Sequence, residues 1–589
     1  FPYRLVGSDG AVQEGRGGVG TIFTCNPDGA GLERLAVGFW NPFGIVAAAG
    51  RVYCVDNDPD ASPPCRLIEV VYGGDYGHRW EYGRAGVHPL QAWNGELPGT
   101  LPMICGTGEA PTAVVSHRGH LWVTSWGDHR IERYALARAP RNASLEAVLA
   151  TAVQGDADFR PTGMAVAPDG SIYFADWVDK SYAVHGQGRI WRLTVPAAAT
   201  AAMPPAENDG PRASTPALAD PMSSHRMVQD LLAQPIEAAQ QMLGAREPHL
   251  RLSALQALRF RDAQDAAGTA SLLRDALADS HPAVRLYAVR WIADERLVAL
   301  RDEVATLLDG EMSDERYLLC VLAAIDWLDG EATPRSSGIS DDILQRELAN
   351  ANRPSDLHAL ALRLISPNHP WLTVERLRAL LRSPAASLQR EAVWTLVLQD
   401  RPDARAALAD VVADESLAPE LRADALVGLA GDMPAHAVLL EELAAGEASA
   451  TVAEQARRIL RLSRGGVVED EADRPDETDL DEWIERLADG GGAAAGRRLF
   501  FLPAVGPQCA ACHQHGGRGG RIGPDLTHIG KQQSRASVVA SILQPSREIA
   551  PHYQAWTLLA SDGRSHLGLR LPKAGDDGVE LYADDQGHT

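Results

Sequence analysis

Seven segments of this chain carry one pattern, apolar-Arg-x-x-Ala-apolar or a close variant: "HLRLSALQAL", "AVRLYAVRWI", "ERYLLCVLAAI", "LHALALRLI", "LQREAVWTLV", "ELRADALVGL" and "TVAEQARRIL". They put Ala254, Ala288, Leu319, Ala361, Ala392, Ala425 and Ala456 in a common register at intervals of 34, 31, 42, 31, 33 and 31 residues. A period of that length holds two helices and their turns, and one such unit cannot bury its apolar face alone. Each unit must stack on the next, and a small residue at the register position lets neighbouring helices approach. Residues 226–465 are therefore expected to form an α-solenoid. Arg251, Arg285 and Arg422 share a second repeat position. Pairing with acids of adjacent repeats is the plain reading of that row, and partner binding is the sharper one. Cys320 falls on the buried helix and is expected in the core.

Upstream the period changes. In residues 1–194, "GTIFTCN", "GRVYCVDND", "GHLWVTSW", "GSIYFADW" and "GRIWRLT" are short alternating runs of β-branched and aromatic residues, opened by glycine. Three segments, "NPFGIVAAAGRVYCVDND", "PTAVVSHRGHLWVTSWGD" and "PTGMAVAPDGSIYFADWVD", share a Pro-led strand, a Gly turn and a second strand with an acidic end. Repetition of that kind predicts the blades of a partial β-propeller. Residues 195–225 are rich in Pro and Ala without apolar periodicity and read as a linker. Residues 466–489 read as an acidic tether, which "LDEWIERLADG" would close with a short helix. At 589 residues the chain is too long for one core. Its net charge of −23 argues against non-specific nucleic-acid binding and against attraction to anionic lipid. No run of eighteen apolar residues predicts a transmembrane helix, and "FPYRLVGSDG" lacks the charged-then-apolar pattern of a signal peptide.

The motif that carries chemistry is "CAACHQHGG", residues 509–517. Two residues between Cys509 and Cys512, with His513 directly after, form the attachment signature of c-type haem. The spacing sets both thiols against the two vinyl groups of one porphyrin, and the imidazole of His513 becomes the proximal iron ligand. A redox dithiol or half a zinc site is the competing reading. The flanks "AAAGRRLFF" and "GGRGGRIGPDLTHIG" resemble a class I cytochrome c core. "SILQPSREIAPHYQAWTLLASDGRSHLGL" (541–569) resembles the haem-binding domain of multidomain c-type cytochromes typical of Planctomycetes and Verrucomicrobia. In that family a partial propeller similar to sorbosone or glucose dehydrogenases precedes HEAT repeats and a C-terminal cytochrome domain.

The resemblance implies a multidomain fold: partial β-propeller, HEAT-like α-solenoid, then a small α-helical class I cytochrome c-like domain over 490–589, expected to be truncated. It implies covalent haem c, with Gly523 and Pro524 against the proximal side of His513. Class I cytochromes supply a distal methionine, but no methionine follows Met433. His515, His528, His552 and His566 are the substitutes, with His552 preferred. Haem is attached to such motifs outside the cytoplasm, so the chain is expected to be periplasmic or otherwise exported. "VGFWNPFGI", "VDNDPD" and "VVYGGDYGHRWEYG" resemble the quinone-dependent sugar dehydrogenase propeller, with Trp40 where that pattern has an arginine. Pyrroloquinoline quinone is therefore a doubtful cofactor.

Other candidates are local. Asp56, Asn57, Asp58 and Asp75 offer hard oxygen ligands for calcium, and the alternative is that they cap turns. His78, Arg79 and Trp80 are expected on a rim loop suited to polar substrate contacts, while His117, His120 and His129 are read as solvated loop residues. Cys54 and Cys65 would be able to pair across a Pro-rich loop in an oxidising compartment. Arg497, Arg498, Arg518, Arg521, Lys531 and Arg535, against Asp525 alone, make the region around the motif locally positive. Such charge would favour the reduced iron or steer an anionic surface, including the chain's own tether. Two functions follow: electron transfer to a periplasmic partner from oxidation of a sugar or alcohol at the propeller, or a non-catalytic scaffold that binds carbohydrate or protein and carries a redox-sensing haem.

Overall fold

A computed structural model describes the chain except residues 1–2, 16–17, 60–61, 85, 139–144, 180–183, 197–202, 205–219, 262–265, 310–314, 331–338, 400, 447–448, 465–473, 489, 504–505, 521, 528, 534, 546–552, 554, 571–581 and 584–589. It divides into two compact units, Phe1–Gly338 and Ile339–Thr589, and the division falls inside the helical region.

The first unit opens with sheets. A hairpin pairs β1 (Tyr3–Val6) with β2 (Val12–Gly15), and β3 (Gly20–Thr24), β4 (Glu33–Phe39) and β8 (Gly74–Asp75) form a three-stranded sheet. The next sheet has the order β5 (Asn41–Ala48), β6 (Arg51–Asn57), β7 (Arg66–Val70), β9 (Cys105–Gly106). It is followed by β10 (Pro111–His117), β11 (His120–Ser125), β12 (Arg130–Arg138) and β13 (Leu145–Gln154). The last sheet is β14 (Pro161–Val166), β15 (Ser171–Asp176) and β16 (Arg189–Thr194). Successive sheets pack face to face. Tyr53, Val55 and Leu67 of one meet Val114, Leu121, Val123 and Tyr134 of the next, and Trp122 and Ile131 meet Phe159, Ile172 and Phe174. The first strands β5, β10 and β14 are neighbours, as the inner strands of blades are. Among the described residues the sheets do not close a ring.

The acidic strand ends read from the sequence act as clasps. Asp56 accepts the N–H groups of Trp40 (3.3 Å) and Asn41 (2.7 Å), which open β5. Asp176 accepts those of Arg160 (2.8 Å) and Val178 (3.0 Å). Each acid also faces an arginine across its ladder, Asp56 opposite Arg66 and Asp176 opposite Arg189.

Among the described residues seven α-helices complete this unit: α1 (Pro221–Leu232), α2 (Ile236–Met242), α3 (Pro248–Arg261), α4 (Ala266–Leu277), α5 (Pro282–Asp294), α6 (Arg301–Thr306) and α7 (Glu315–Leu328). Proline at the first turn, where no N–H partner is needed, starts α1 and α5. Helices α1, α3, α5 and α7 pack in one row, and α2, α4 and α6 each lie against the helix that follows.

In the second unit, α8 (Asp341–Ala349), α10 (Val374–Leu381), α12 (Pro402–Ala413) and α14 (Met433–Ala445) pair in the same way with α9 (Ser355–Leu364), α11 (Ala386–Gln399), α13 (Pro419–Leu429) and α15 (Ala450–Ser463). The register alanines Ala254, Ala288, Ala361, Ala392, Ala425 and Ala456 are all 0% exposed, which is the close approach their size permits. Leu319 is partly exposed. The helical run Pro419–Ala445 is long and apolar enough to cross a membrane by length and composition, but half of its apolar window is buried in this unit. After it come α16 (Leu480–Arg486), α17 (Ala493–Phe500), α18 (Cys509–Cys512), the hairpin β17 (Gln514–His515) with β18 (Arg518–Gly519), α19 (Ile529–Gln532), α20 (Arg535–Leu543), and the sheet β19 (Ala555–Leu559), β20 (Ser565–Arg570), β21 (Tyr582–Ala583).

The arginine row of the helical region caps and ties. Arg251 grips Asp279 through two contacts of 2.6 Å and also donates to Ala245 O. Arg285 donates to Asp279 O and to the Tyr317 hydroxyl, and Arg422 to Val412 O. Cys320 is 0% exposed, with its Sγ 3.1 Å from Pro89 O.

Candidate cofactor site

Gln508 takes a left-handed backbone (φ 53°) and turns the chain into α18, a single helical turn that carries Cys509 and Cys512 on its ends. His513 follows in extended backbone, with its N–H on Cys509 O (2.9 Å). Both thiols are partly buried and neither is in a disulfide; burial raises the Cys509 pKa. The imidazole is fixed by one contact, Nδ1 to Pro524 O at 2.9 Å. A carbonyl only accepts, so Nδ1 carries the hydrogen and Nε2 is the ring nitrogen left to ligate. Gly523 is the floor of this arrangement. A Cβ there would stand 2.6 Å from the ring Cε1 and 2.7 Å from Nδ1, so a larger residue would push the imidazole off its acceptor. Gly523 and Pro524 thus lie beside His513 and set its orientation. The set of two thiols on one turn and an imidazole with a free Nε2 fits covalent haem attachment with a hydrogen-bonded proximal histidine.

The segment is held by the helices before it. Arg518 is 3% exposed; its Nε and Nη2 reach Glu391 Oε2 on α11 at 3.1 and 2.8 Å, and Nη2 also meets Thr395 Oγ1 (3.1 Å) and Leu362 O (3.3 Å). Arg498 reaches Asp424 Oδ1 on α13 at 2.9 Å, and Trp394 Nε1 donates to the same carboxylate at 3.2 Å. Phe501 packs on the Trp394 ring at 5.2 Å, and Arg497 lies over that ring at 4.8 Å. The positive charge around the motif is therefore not a free surface field. Two of its arginines are buried in ion pairs, and Arg535 donates to the carbonyls of Leu487 and Ala488 beside α16. Arg521 and the side chain of Lys531 lie outside the described residues. Glu391, Asp424 and Trp394 are missed by sequence reasoning, because each looks like an ordinary helix residue until its partner some hundred residues later is known.

Of the distal candidates, His552 and His528 fall outside the described residues. His515 is exposed with its ring 5.8 Å from that of Phe500, and His566 is exposed on β20.

In the first unit several expectations need correction. The calcium set is broken up by arginine. Asp56 is 0% exposed and bound by Arg66 Nη2 at 2.8 Å, while Asp75 is held by Arg79 (2.7 Å) and Arg290 (3.0 Å). Guanidinium groups occupy the carboxylate edges a cation would need. The rim loop is not a rim: His78 and Arg79 are 1% and 4% exposed, covered by α5, and only Trp80 reaches solvent, stacked on Trp40 at 5.4 Å. Burial, with Arg66 and Arg79 nearby, pushes His78 down to about 3. His117 is partly buried at the end of β10 and His120 is buried in β11, so these two are not solvated loop residues, whereas His129 is partly exposed in the turn before β12. Cys54 and Cys65 do not pair. Cys54 faces Ile68 across the ladder, and Cys65 precedes Arg66 at the other end of that strand, so the two are offset by three residues.

Glu81 shows how the covered loop responds to pH. Burial first, then the charge of Asp294, raises its pKa to about 7 against 4.5 for the free side chain. The folded chain therefore holds a proton that the unfolded chain releases between those values. This site's contribution to stability falls as pH rises from about 4.5 to about 7. Glu81→Gln should remove that slope and raise stability at pH 8 by about 2 kcal/mol, after allowance for partial exposure. Urea unfolding of both proteins at pH 5 and pH 8 measures it; equal pH slopes would refute it.

No family model matches the sequence, and no curated protein matches it. Solved structures show likeness to parts of the chain. A putative oxidoreductase (glucose dehydrogenase) from Thermus thermophilus is 20% identical, covers 28% of this chain and 47% of its own, and has a TM-score of 0.23. The PQQ-bound aldose sugar dehydrogenase of Streptomyces coelicolor is 18% identical over 32% of this chain and 60% of its own, TM-score 0.24. Human deoxyhypusine hydroxylase is 18% identical over 41% of this chain and 96% of its own, TM-score 0.19. The chain thus spans between about half and 60% of the length of the two dehydrogenases.

Proposed function

We propose that the region around α18 binds haem c covalently and that the chain is an electron-transfer protein exported to the periplasm or beyond. The observation that carries the reading is the contact of His513 Nδ1 with Pro524 O, which leaves Nε2 as the ligating nitrogen of a residue that directly follows a turn bearing two thiols outside any disulfide. Haem, when bound, supplies a one-electron iron couple. Cys509 and Cys512 would anchor its ring, His513 would ligate its iron, and the Pro524 carbonyl would keep the imidazole oriented and more basic. Under this reading 226–465 is a HEAT-like solenoid and 490–589 a class I cytochrome c-like domain resting on it. Production with a cytochrome maturation system should give a pyridine haemochrome spectrum and the mass increment of one haem. Both should vanish in Cys509→Ala/Cys512→Ala. A colourless protein of unmodified mass would overturn the assignment.

The electrons are proposed to come from oxidation of a sugar or related alcohol at or near the sheets and to leave to a periplasmic carrier. Arg66 and Arg79, buried guanidinium groups of the kind a tricarboxylate such as pyrroloquinoline quinone would use, are committed to Asp56 and to Asp75 and Asp294, while Arg84 lies over the Trp40 ring at 5.5 Å. That same commitment favours a second reading of the sheets alone, in which they bind a carbohydrate or protein without oxidising it. Sugar-dependent reduction of the haem, or saturable binding without reduction, separates the two.

A further inference from the structure

Asp56 and Arg66 face each other across β6 and β7 and share one face of the sheet. Side chains alternate along a strand, so the next residues outward, Asn57 and Cys65, stand opposite each other on the other face. Two observations mark that spot. Asn57 is partly buried, and its Oδ1 is sealed from solvent with no hydrogen-bond partner among the described residues, a state that costs free energy unless a donor or a cation reaches it. On that face of the sheet Cys65 is 1% exposed, with its Sγ 2.8 Å from Asp58 Oδ1 and 3.9 Å from Glu109 Oε2. One donor atom from each of Asp58, Cys65 and Glu109 lies within 4.8 Å of the other two. The backbone N–H of Asp58 also donates to Sγ at 3.4 Å, the support that backbone amides give to metal thiolates.

We propose that Cys65, Asp58 and Glu109, with Asn57 Oδ1 as the fourth donor, bind a thiophilic divalent cation of the zinc type. One sulfur among oxygens selects against calcium and magnesium, which take oxygen alone. Tetrahedral zinc with bonds of about 2.3 Å to sulfur and 2.0–2.2 Å to oxygen sets ligand-to-ligand edges of roughly 3.4–3.6 Å. The two edges to sulfur, 2.8 and 3.9 Å, bracket that spacing, and the three donor atoms, all within 4.8 Å of one another, would draw together on the cation. On binding, the Sγ–metal bond forms and the thiol proton leaves to solvent, one proton per cation. Asn57 ends β6 and Asp58 follows it, Cys65 precedes β7, and Glu109 belongs to the loop that enters β10, so the cation would join two successive sheets.

The test uses the full-length chain carrying Cys509→Ala and Cys512→Ala, which removes the other thiol pair and makes the result independent of haem. Titration with cobalt(II) should produce a near-ultraviolet thiolate-to-cobalt band that saturates at one equivalent and is abolished by zinc. Adding Cys65→Ser should remove the band with an unchanged far-ultraviolet circular dichroism spectrum. Adding Glu109→Gln, which keeps the size of an exposed side chain and removes its charge, should weaken cobalt binding about tenfold or more. Absence of the band in the parent, its persistence without Cys65, or unchanged affinity in Glu109→Gln would each overturn the site.

Discussion

Asp294→Ala is expected to cost about 3–5 kcal/mol, because it strips a carboxylate from a buried cluster of three guanidinium groups. Asp294, at the end of α5, accepts from the Tyr82 hydroxyl (2.7 Å), from Arg259 (2.8 Å) and from Arg79 (3.4 Å), with Arg290 Nε 3.9 Å away. Burial alone would raise its pKa, but Arg79, Arg259 and Arg290 outweigh that and hold it below the ordinary carboxylate value. Removing it leaves Arg79 and Arg290, at 4% and 1% exposure, to share Asp75. The arginines cannot discharge, so the loss appears as free energy. Urea unfolding followed by tryptophan fluorescence should show a lowered midpoint, and proteases should gain access to the loop that carries Tyr82. Asp294→Asn, which keeps the size and an acceptor, should lose less. A loss under about 1 kcal/mol for the alanine variant would mean that this cluster does not hold the loop on α5.

Glu391→Ala should be comparably damaging to the second unit. Arg518 meets that one carboxylate through two nitrogens and is nearly sealed from water, so its partner's removal strands a charge for about 3–5 kcal/mol. The double variant Glu391→Leu/Arg518→Met, which replaces the pair with apolar bulk, should recover to within about 1 kcal/mol of the parent. The pair's worth therefore lies in where it puts β18 rather than in net stability. Because β17 and β18 begin one residue after His513, the single variant should also loosen the turn that carries the imidazole. Hydrogen exchange at Gln514 and Gly519 in the parent and both variants tests this. Protection unchanged in Glu391→Ala would show that the hairpin is held by other contacts.

What the sequence disclosed and what it hid divide along physical lines. The alanine register was legible because packing repeats in sequence: Ala254, Ala392 and Ala456 all end with no exposed surface. Strands β6, β11 and β15 were legible for the same reason, since alternation and turn residues are local signals. The burial of His78 and Arg79 was not legible, because a loop between strands reads as surface unless the helix that covers it, some two hundred residues later, is known. Nor does any local pattern pair Arg518 with Glu391 or bring Glu109 to Cys65. Charge counting around the motif misled in one respect: it gives the sum of charges but not which of them are already spent inside the fold.

The aspartate clasps of the sheets have a consequence for how such a region changes over time. Asp56 and Asp176 each bind the backbone that opens their own sheet and an arginine from its third strand, so every fastening is internal to one repeat. A repeat built in this manner carries its own aspartate clasp through duplication or deletion, while the further bonds of Arg66 to Gly38, Tyr76 and Trp93 tie the first of them to its surroundings.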